Sequence, residues 1–175
     1  MQFLTTVECR SWCLRHPPLG QLALEAGPAQ QRRSEIRFEL PCDAGRRVAL
    51  SRLLWNLVSL GQAEMLLWVQ LWGVWPSCEH MPILTALRSS LGEARTLDEV
   101  PGHVFREGEN EDAVSFLTVA ILFLWDTWLL AGDGKRALLL SHDEDGFLCV
   151  IDQRDVAVVL RQFQEFGLPA KEQSR

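Results

Sequence analysis

A chain of 175 residues is long enough to bury a sizeable core, so it needs no disulfide staples to fold. Its 47% hydrophobic and 23% charged residues exclude a disordered or fibrous chain, and a formal net charge of −6 argues against nucleic acid as a ligand. The charge is uneven: residues 1–60 carry eight arginines and five acids, whereas residues 61–175 carry nine basic and eighteen acidic groups.

From Phe3 to Leu14 the residues alternate, with Phe3, Val7, Cys9 and Cys13 on one side, which predicts a half-buried strand. Pro17-Pro18-Leu19-Gly20 turns the chain, and Gln21 to Ala26 is expected to return as a partner strand. Glu35 to Leu40 alternates most clearly of all, completing an antiparallel meander with one wet face. Pro41 ends that strand, and Asp43 is placed to cap a helix that carries Leu50, Leu53, Leu54, Leu57 and Val58 and closes at Gly61.

Met65 to Trp72 is apolar on both sides, the pattern of a central strand covered on both faces. Ser77 can cap a helix with Leu84, Leu87 and Leu91, stopped by Gly92. Residues Glu93 to Asp112 then hold seven acids and two arginines, read as a long acidic connection, with Asn110 capping a helix to about Leu124. Trp125–Ala131 and Arg136–Ser141 are expected to form a hairpin across Gly132-Asp133-Gly134. Asp143-Glu144-Asp145-Gly146 makes the next turn, and Phe147–Ile151 a third strand. Asp152 or Asp155 begins a last helix with Val156, Val159, Leu160 and Phe163 on one stripe, ended by Gly167 and Pro169. The resulting fold class is α+β: a mainly antiparallel sheet with helices packed on it, in the order βββα-βα-α-βββα. Residues 1–168 are read as a single domain and 169–175 as a flexible tail.

The first residues lack a basic start and an unbroken apolar stretch, so no signal peptide is expected. The apolar run from Ala113 to Ala131 is interrupted by Asp126, which favours a core helix over a membrane span. Five cysteines (Cys9, Cys13, Cys42, Cys78 and Cys149) fall in or beside apolar segments, as reduced core thiols of a cytoplasmic protein do. They lack the paired spacing of zinc ligands, so no metal is expected. The Asp143 turn lacks the twelfth-position carboxylate of a calcium loop, where Arg154 stands, and no phosphate-binding or dinucleotide fingerprint follows any strand, so no cofactor is expected.

Ser141-His142-Asp143 contains the residue types of a hydrolytic triad, but sequence neighbours do not meet in triad geometry; a polar strand end entering a turn explains them better. His103 lies between Glu99 and Glu107, where a histidine can act as a general base, although an ordinary loop histidine fits as well. The acidic connection, with Glu99, Glu107 and Glu109, suits a basic protein partner met by electrostatic attraction.

The segments Trp72-Gly73-Val74-Trp75-Pro76-Ser77-Cys78-Glu79, Pro101-Gly102-His103, Ser115-Phe116-Leu117, Trp125-Asp126 and Ser141-His142-Asp143-Glu144 resemble a family of uncharacterised bacterial proteins, across about residues 35 to 150. That resemblance brings no assigned activity and no catalytic residues. It draws attention to Trp75, Glu79, His103, Asp126 and His142 as polar and aromatic groups that could converge in a tryptophan-walled pocket. The expected function is a non-enzymatic interaction domain of the immunity or adaptor type, using an acidic surface. The alternative is a small-molecule binder or enzyme built on those five residues.

Overall fold

The computed structural model describes residues 1–24, 33–72 and 81–174. Its elements are β1 (Gln2–Leu4), α1 (Thr6–Arg15), a 3₁₀ segment (Leu19–Leu24), β2 (Ser34–Glu39), α2 (Ala44–Ser59), β3 (Glu64–Leu71) and α3 (Met81–Ser90). There follow β4 (Gly102–Arg106), α4 (Asn110–Leu122), β5 (Asp126–Ala131), β6 (Arg136–Leu140), β7 (Asp145–Val150), α5 (Gln153–Phe166) and β8 (Ala170–Ser174). The eight strands form one antiparallel sheet in the order β1-β4-β3-β5-β6-β7-β2-β8. The protein is thus α+β, with helices packed on a mainly antiparallel sheet.

β3 is the third strand of the sheet, between β4 and β5. Its alternate residues serve two cores. Met65, Leu67 and Val69 join the cluster under α2, α4 and α5, while Leu66 and Trp68 join a second cluster under α1 and the 3₁₀ segment. A two-sided apolar run is what such a position demands, because neither face sees water. β5 alternates the same way, with Leu129 and Ala131 on the first face and Trp128 and Leu130 on the second.

Local chemistry sets the helix ends. The Asp43 side chain accepts from the Arg46 N–H at 2.8 Å and starts α2, whose buried stripe is Leu50, Ser51, Leu54, Trp55 and Val58. Asp152 accepts from the Arg154 N–H at 2.9 Å and starts α5, and Gly167, at φ 71°, closes it in a left-handed cap. α2 and α4 pack on each other, joined by a 2.6 Å hydrogen bond between the Ser51 and Thr118 hydroxyls.

The expected N-terminal meander does not form. Residues after Leu4 make α1, because Thr5 and Glu8 complete a capping box: the Thr5 hydroxyl accepts from the Glu8 N–H, and the Glu8 carboxylate accepts from the Thr5 N–H at 2.8 Å. Cys9, Trp12 and Cys13 are the buried positions, at helical rather than alternating spacing. The return strand expected at Gln21 is 3₁₀ through Leu24; Glu25 and Ala26 lie outside the described residues, as does the Ser77 cap.

β2, the third strand of that expected meander, instead pairs with β7 and β8. The acidic connection is not one long loop, since β4 runs through it and buries His103, Val104 and Phe105. The segment expected to trail off as a tail is drawn into the sheet as edge strand β8, because β2 offers an otherwise open row of backbone groups.

Candidate functional site

Asp126 opens β5 and His142 follows β6, and the pairing of Thr127 with Leu140 sets them side by side. One oxygen, Asp126 Oδ1, accepts the His142 backbone N–H at 2.7 Å and meets the ring at Nδ1 at 2.8 Å. That bond raises the pKa of His142 above its ordinary value, with the Asp126 charge as the second cause and Asp143 a further one. Nε2 stays on the open side, 3.6 Å from Asp143 Oδ1. Both side chains remain accessible, at 34% and 25% of their full exposure. Ser141 takes no part in a triad: its hydroxyl accepts from the Asp143 N–H at 3.2 Å, and the ring addresses Asp126.

His103 sits elsewhere. It pairs with Leu67 on β3, which pairs with Leu129 on β5, so its side chain belongs to the face beneath α4. Asp126 is three residues from Leu129 along the same strand and therefore faces the other way. His103 is fully buried against Phe116 and Phe3, with Arg88 Nη1 3.4 Å from its Nε2. Burial first, and then the Arg88 charge, push its pKa down to about 3. A ring held neutral inside the core is not the carboxylate-flanked base that its sequence neighbours suggested. Of the five residues expected to converge, the structure joins Asp126 with His142 and sets His103 apart; Trp75 and Glu79 lie outside the described residues.

Arg88 organises the ground beneath the acidic segment. Its buried guanidinium donates to the carbonyls of Val100 (2.9 Å), Arg95 (3.2 Å) and Thr96 (3.3 Å). Nearby, Arg95 grips Glu93 through several bonds, holding that carboxyl down at about 2. Glu99 turns inward to its own loop, accepting from the Thr96 N–H at 2.8 Å and hydroxyl at 3.0 Å, which lowers its pKa.

The second acidic group lies on the turn from β4 into α4. Glu109 accepts from the Arg106 N–H at 2.8 Å and pairs with the Met1 amine. Glu111 takes a two-pronged bond from Arg52 at 2.8 and 2.7 Å. Glu107 is exposed, and no hydrogen bond or ion pair engages it among the described residues.

Beside Glu107 opens a cavity of about 440 Å³, with Trp55, Met65 and Phe105 at its base and Gln62 and Asn110 at its rim. Asn110 was expected to cap α4. Its Oδ1 instead accepts the indole N–H of Trp55 at 3.2 Å, and Glu109 holds the cap position without a side-chain bond. Trp55 and Phe105, both buried, wall this cavity, and the Asn110 bond fixes the Trp55 indole there. Sequence reading passed it over, although its place in the Ser51-Leu54-Trp55-Val58 stripe was available.

Cys9 and Cys13 are buried, and burial pushes both thiols up to about 12, whereas Cys42 is exposed. Among the described residues no group of three or more His, Cys, Asp or Glu side chains is arranged to hold a metal ion, and no helix is long and apolar enough to cross a membrane. No family model, no curated protein and no solved structure matches this chain.

Proposed function

We propose that the chain is a non-enzymatic protein-interaction domain, of the immunity or adaptor type, that meets a basic partner on the turn between β4 and α4. The observation that carries this reading is the run of carboxylates there, Glu107, Glu109, Glu111 and Asp112: Glu109 and Glu111 are engaged by the Met1 amine and Arg52, while Glu107 and Asp112 make no ion pair among the described residues. Glu107 stands exposed at the mouth of a surface cavity, a position suited to electrostatic approach of a basic group. Affinity capture from native lysate tests it. A basic protein retained at low salt should be released as the screening length falls from ~10 Å toward ~3 Å at about 1 M salt. It should also be lost from a Glu107→Lys, Asp112→Lys double variant. If the folded protein retains no partner at low salt, or the double variant retains the same one, the reading is wrong.

The alternative, a small-molecule binder or enzyme, draws support from the Asp126–His142 bond, since a carboxylate that orients an imidazole prepares it for proton transfer. A metabolite that raises the melting temperature of the native chain but not of His142→Gln would favour it.

A further inference from the structure

A second charged surface lies at the far end of the strand order, where β8 is the outermost strand. We propose that the open edge of β8 and the basic cleft beside it receive an extended acidic segment of a protein partner, added as a further strand with its carboxylates on the Arg37 and Lys171 side. This goes beyond the interaction reading above, since it assigns a second partner, of opposite charge, to the other end of the sheet.

The backbone supplies the first part. Among the described residues β8 pairs with β2 alone, over Ala170 to Ser174, so every second residue turns its N–H and C=O away from the sheet. An extended chain can pair there without rearranging the sheet, and main-chain bonds of this kind give affinity with little sequence preference.

The side chains supply the preference. Arg37 on β2 stands directly across from Lys171, and opposite residues of an antiparallel pair share a face. Two like charges so placed repel, and an anion on the next strand relieves that repulsion. Both line a cleft of about 540 Å³ together with Arg46 and Gln173, against one lining carboxylate, Glu39. All three cations are exposed, and Lys171 makes no hydrogen bond or ion pair among the described residues. Asp145 takes the Nε and Nη2 edge of Arg37, at 3.1 and 2.6 Å, and leaves Nη1. Arg46 is held by the Phe166 and Gly167 carbonyls, at 3.3 and 2.9 Å, which are uncharged and leave its charge uncompensated.

A lone edge lysine serves to keep other strands away. With Arg37 and Arg46 around it, Lys171 makes this edge selective for acidic ones. The net charge of −6 works against a long polyanion such as nucleic acid, whereas a short acidic segment meets only the local excess of cations.

The test adds capped heptapeptides to the full chain and follows the β8 backbone amides by NMR and hydrogen exchange. A peptide of alternating valine and glutamate should shift the Lys171 to Gln173 amides saturably and slow exchange of the outward-facing ones. Its counterpart with lysine in place of glutamate should do neither. N-methylation of the peptide backbone should abolish binding, because it removes the donors that a new strand needs. Lys171→Gln should weaken the response about threefold, the range of an exposed ion pair. No shift with the glutamate peptide, an equal shift with the lysine peptide, binding that survives N-methylation, or a response unchanged in Lys171→Gln would each overturn the proposal. Its fate is separate from that of the interaction reading. Capture of a basic partner through Glu107 and Asp112, with no response to the glutamate peptide, leaves the first surface standing alone. A β8 response with no basic partner captured leaves only the second.

Discussion

The Asp126 carboxylate and the His142 imidazole are joined at 2.8 Å, and the oxygen that makes this bond also takes the His142 backbone N–H. Ring and backbone are thus fixed by one acceptor, which ties the end of β6 to the start of β5. Because the charged ring is favoured in the folded state, the folded pKa lies above the unfolded one. Its contribution to stability is complete below the unfolded value of about 6.5 and fades as pH rises through the raised folded value. The His142 ring signals should titrate above the ordinary histidine range, and Asp126→Asn should bring them back toward it. Denaturant unfolding at about pH 5.5 and about pH 8.5 should show a smaller difference for His142→Gln than for the native chain. A native His142 that titrates normally would remove the basis for this.

His103 behaves in the opposite sense. Its folded pKa is depressed to about 3, so the folded ring stays neutral while the unfolded ring protonates near 6.5. Stability tied to this residue is present above the unfolded value and is lost as pH falls toward 3, at up to about 1.4 kcal/mol per pH unit. The His103 ring signals should not move between about pH 5 and 8. Movement there would mean that the ring reaches water.

Arg88 is buried with its guanidinium spread over three carbonyls, so its removal strands the buried Val100 acceptor and loosens the part-buried Arg95 and Thr96 carbonyls. Arg88→Met should cost about 3 kcal/mol in denaturant unfolding, within the range for leaving buried polar groups unpaired. Arg88→Lys should recover little, because one ammonium on a flexible stem does not reproduce a planar fork. Recovery to native stability by lysine would show that charge alone suffices.

These particulars separate what the sequence could reveal from what it could not. The two-sided run Met65–Trp72, the capped start of α2 with its Leu50, Leu54 and Val58 positions, the capped start and glycine stop of α5 and the β5–β6 hairpin were legible, because each is a local pattern whose period survives into the fold. α1 was misread although its Thr5–Glu8 capping box is equally local; the alternation of Phe3, Val7, Cys9 and Cys13 hid the Cys9-Trp12-Cys13 spacing. β4 was masked by the acids around a short run, Gly102–Arg106. The site relationships are different in kind. Asp126 meets His142 across 16 residues and Trp55 meets Asn110 across 55, through strand register and helix packing that no window of sequence contains.

A glycine on β7 makes room for an aromatic ring. Gly146 is paired with Phe38 on β2, and a Cβ added at Gly146 would land within the Phe38 ring, which lies 4.9 Å from the Phe163 ring of α5. Gly146→Ala should therefore displace Phe38 and lower stability by about 2 kcal/mol, the usual scale of overpacking. Combining it with Phe38→Leu should cost less than the two separate losses added together, since the smaller side chain relieves the clash. Strict additivity in unfolding experiments would show that the two residues do not share this space.

β8 tests how the sheet ends. It pairs with β2 over five register positions, from Ser34 with Ser174 to Phe38 with Ala170, and the Ser34 hydroxyl donates to the Glu172 carboxylate at 2.8 Å. With Ala170–Arg175 deleted, β2 becomes the outermost strand and presents an unpaired row of backbone groups next to Ile36 and Phe38. Such an edge invites pairing with another chain. The shortened protein should unfold at a lower denaturant concentration and self-associate at concentrations where the full chain does not. Amide exchange in β8 of the full chain should be slowed relative to an unpaired terminus, because exchange there requires the strand to leave β2. Unprotected β8 amides together with a monomeric, equally stable truncation would mean that the strand closes nothing, and that the edge of β2 is guarded by its own charges, Glu35, Arg37 and Glu39.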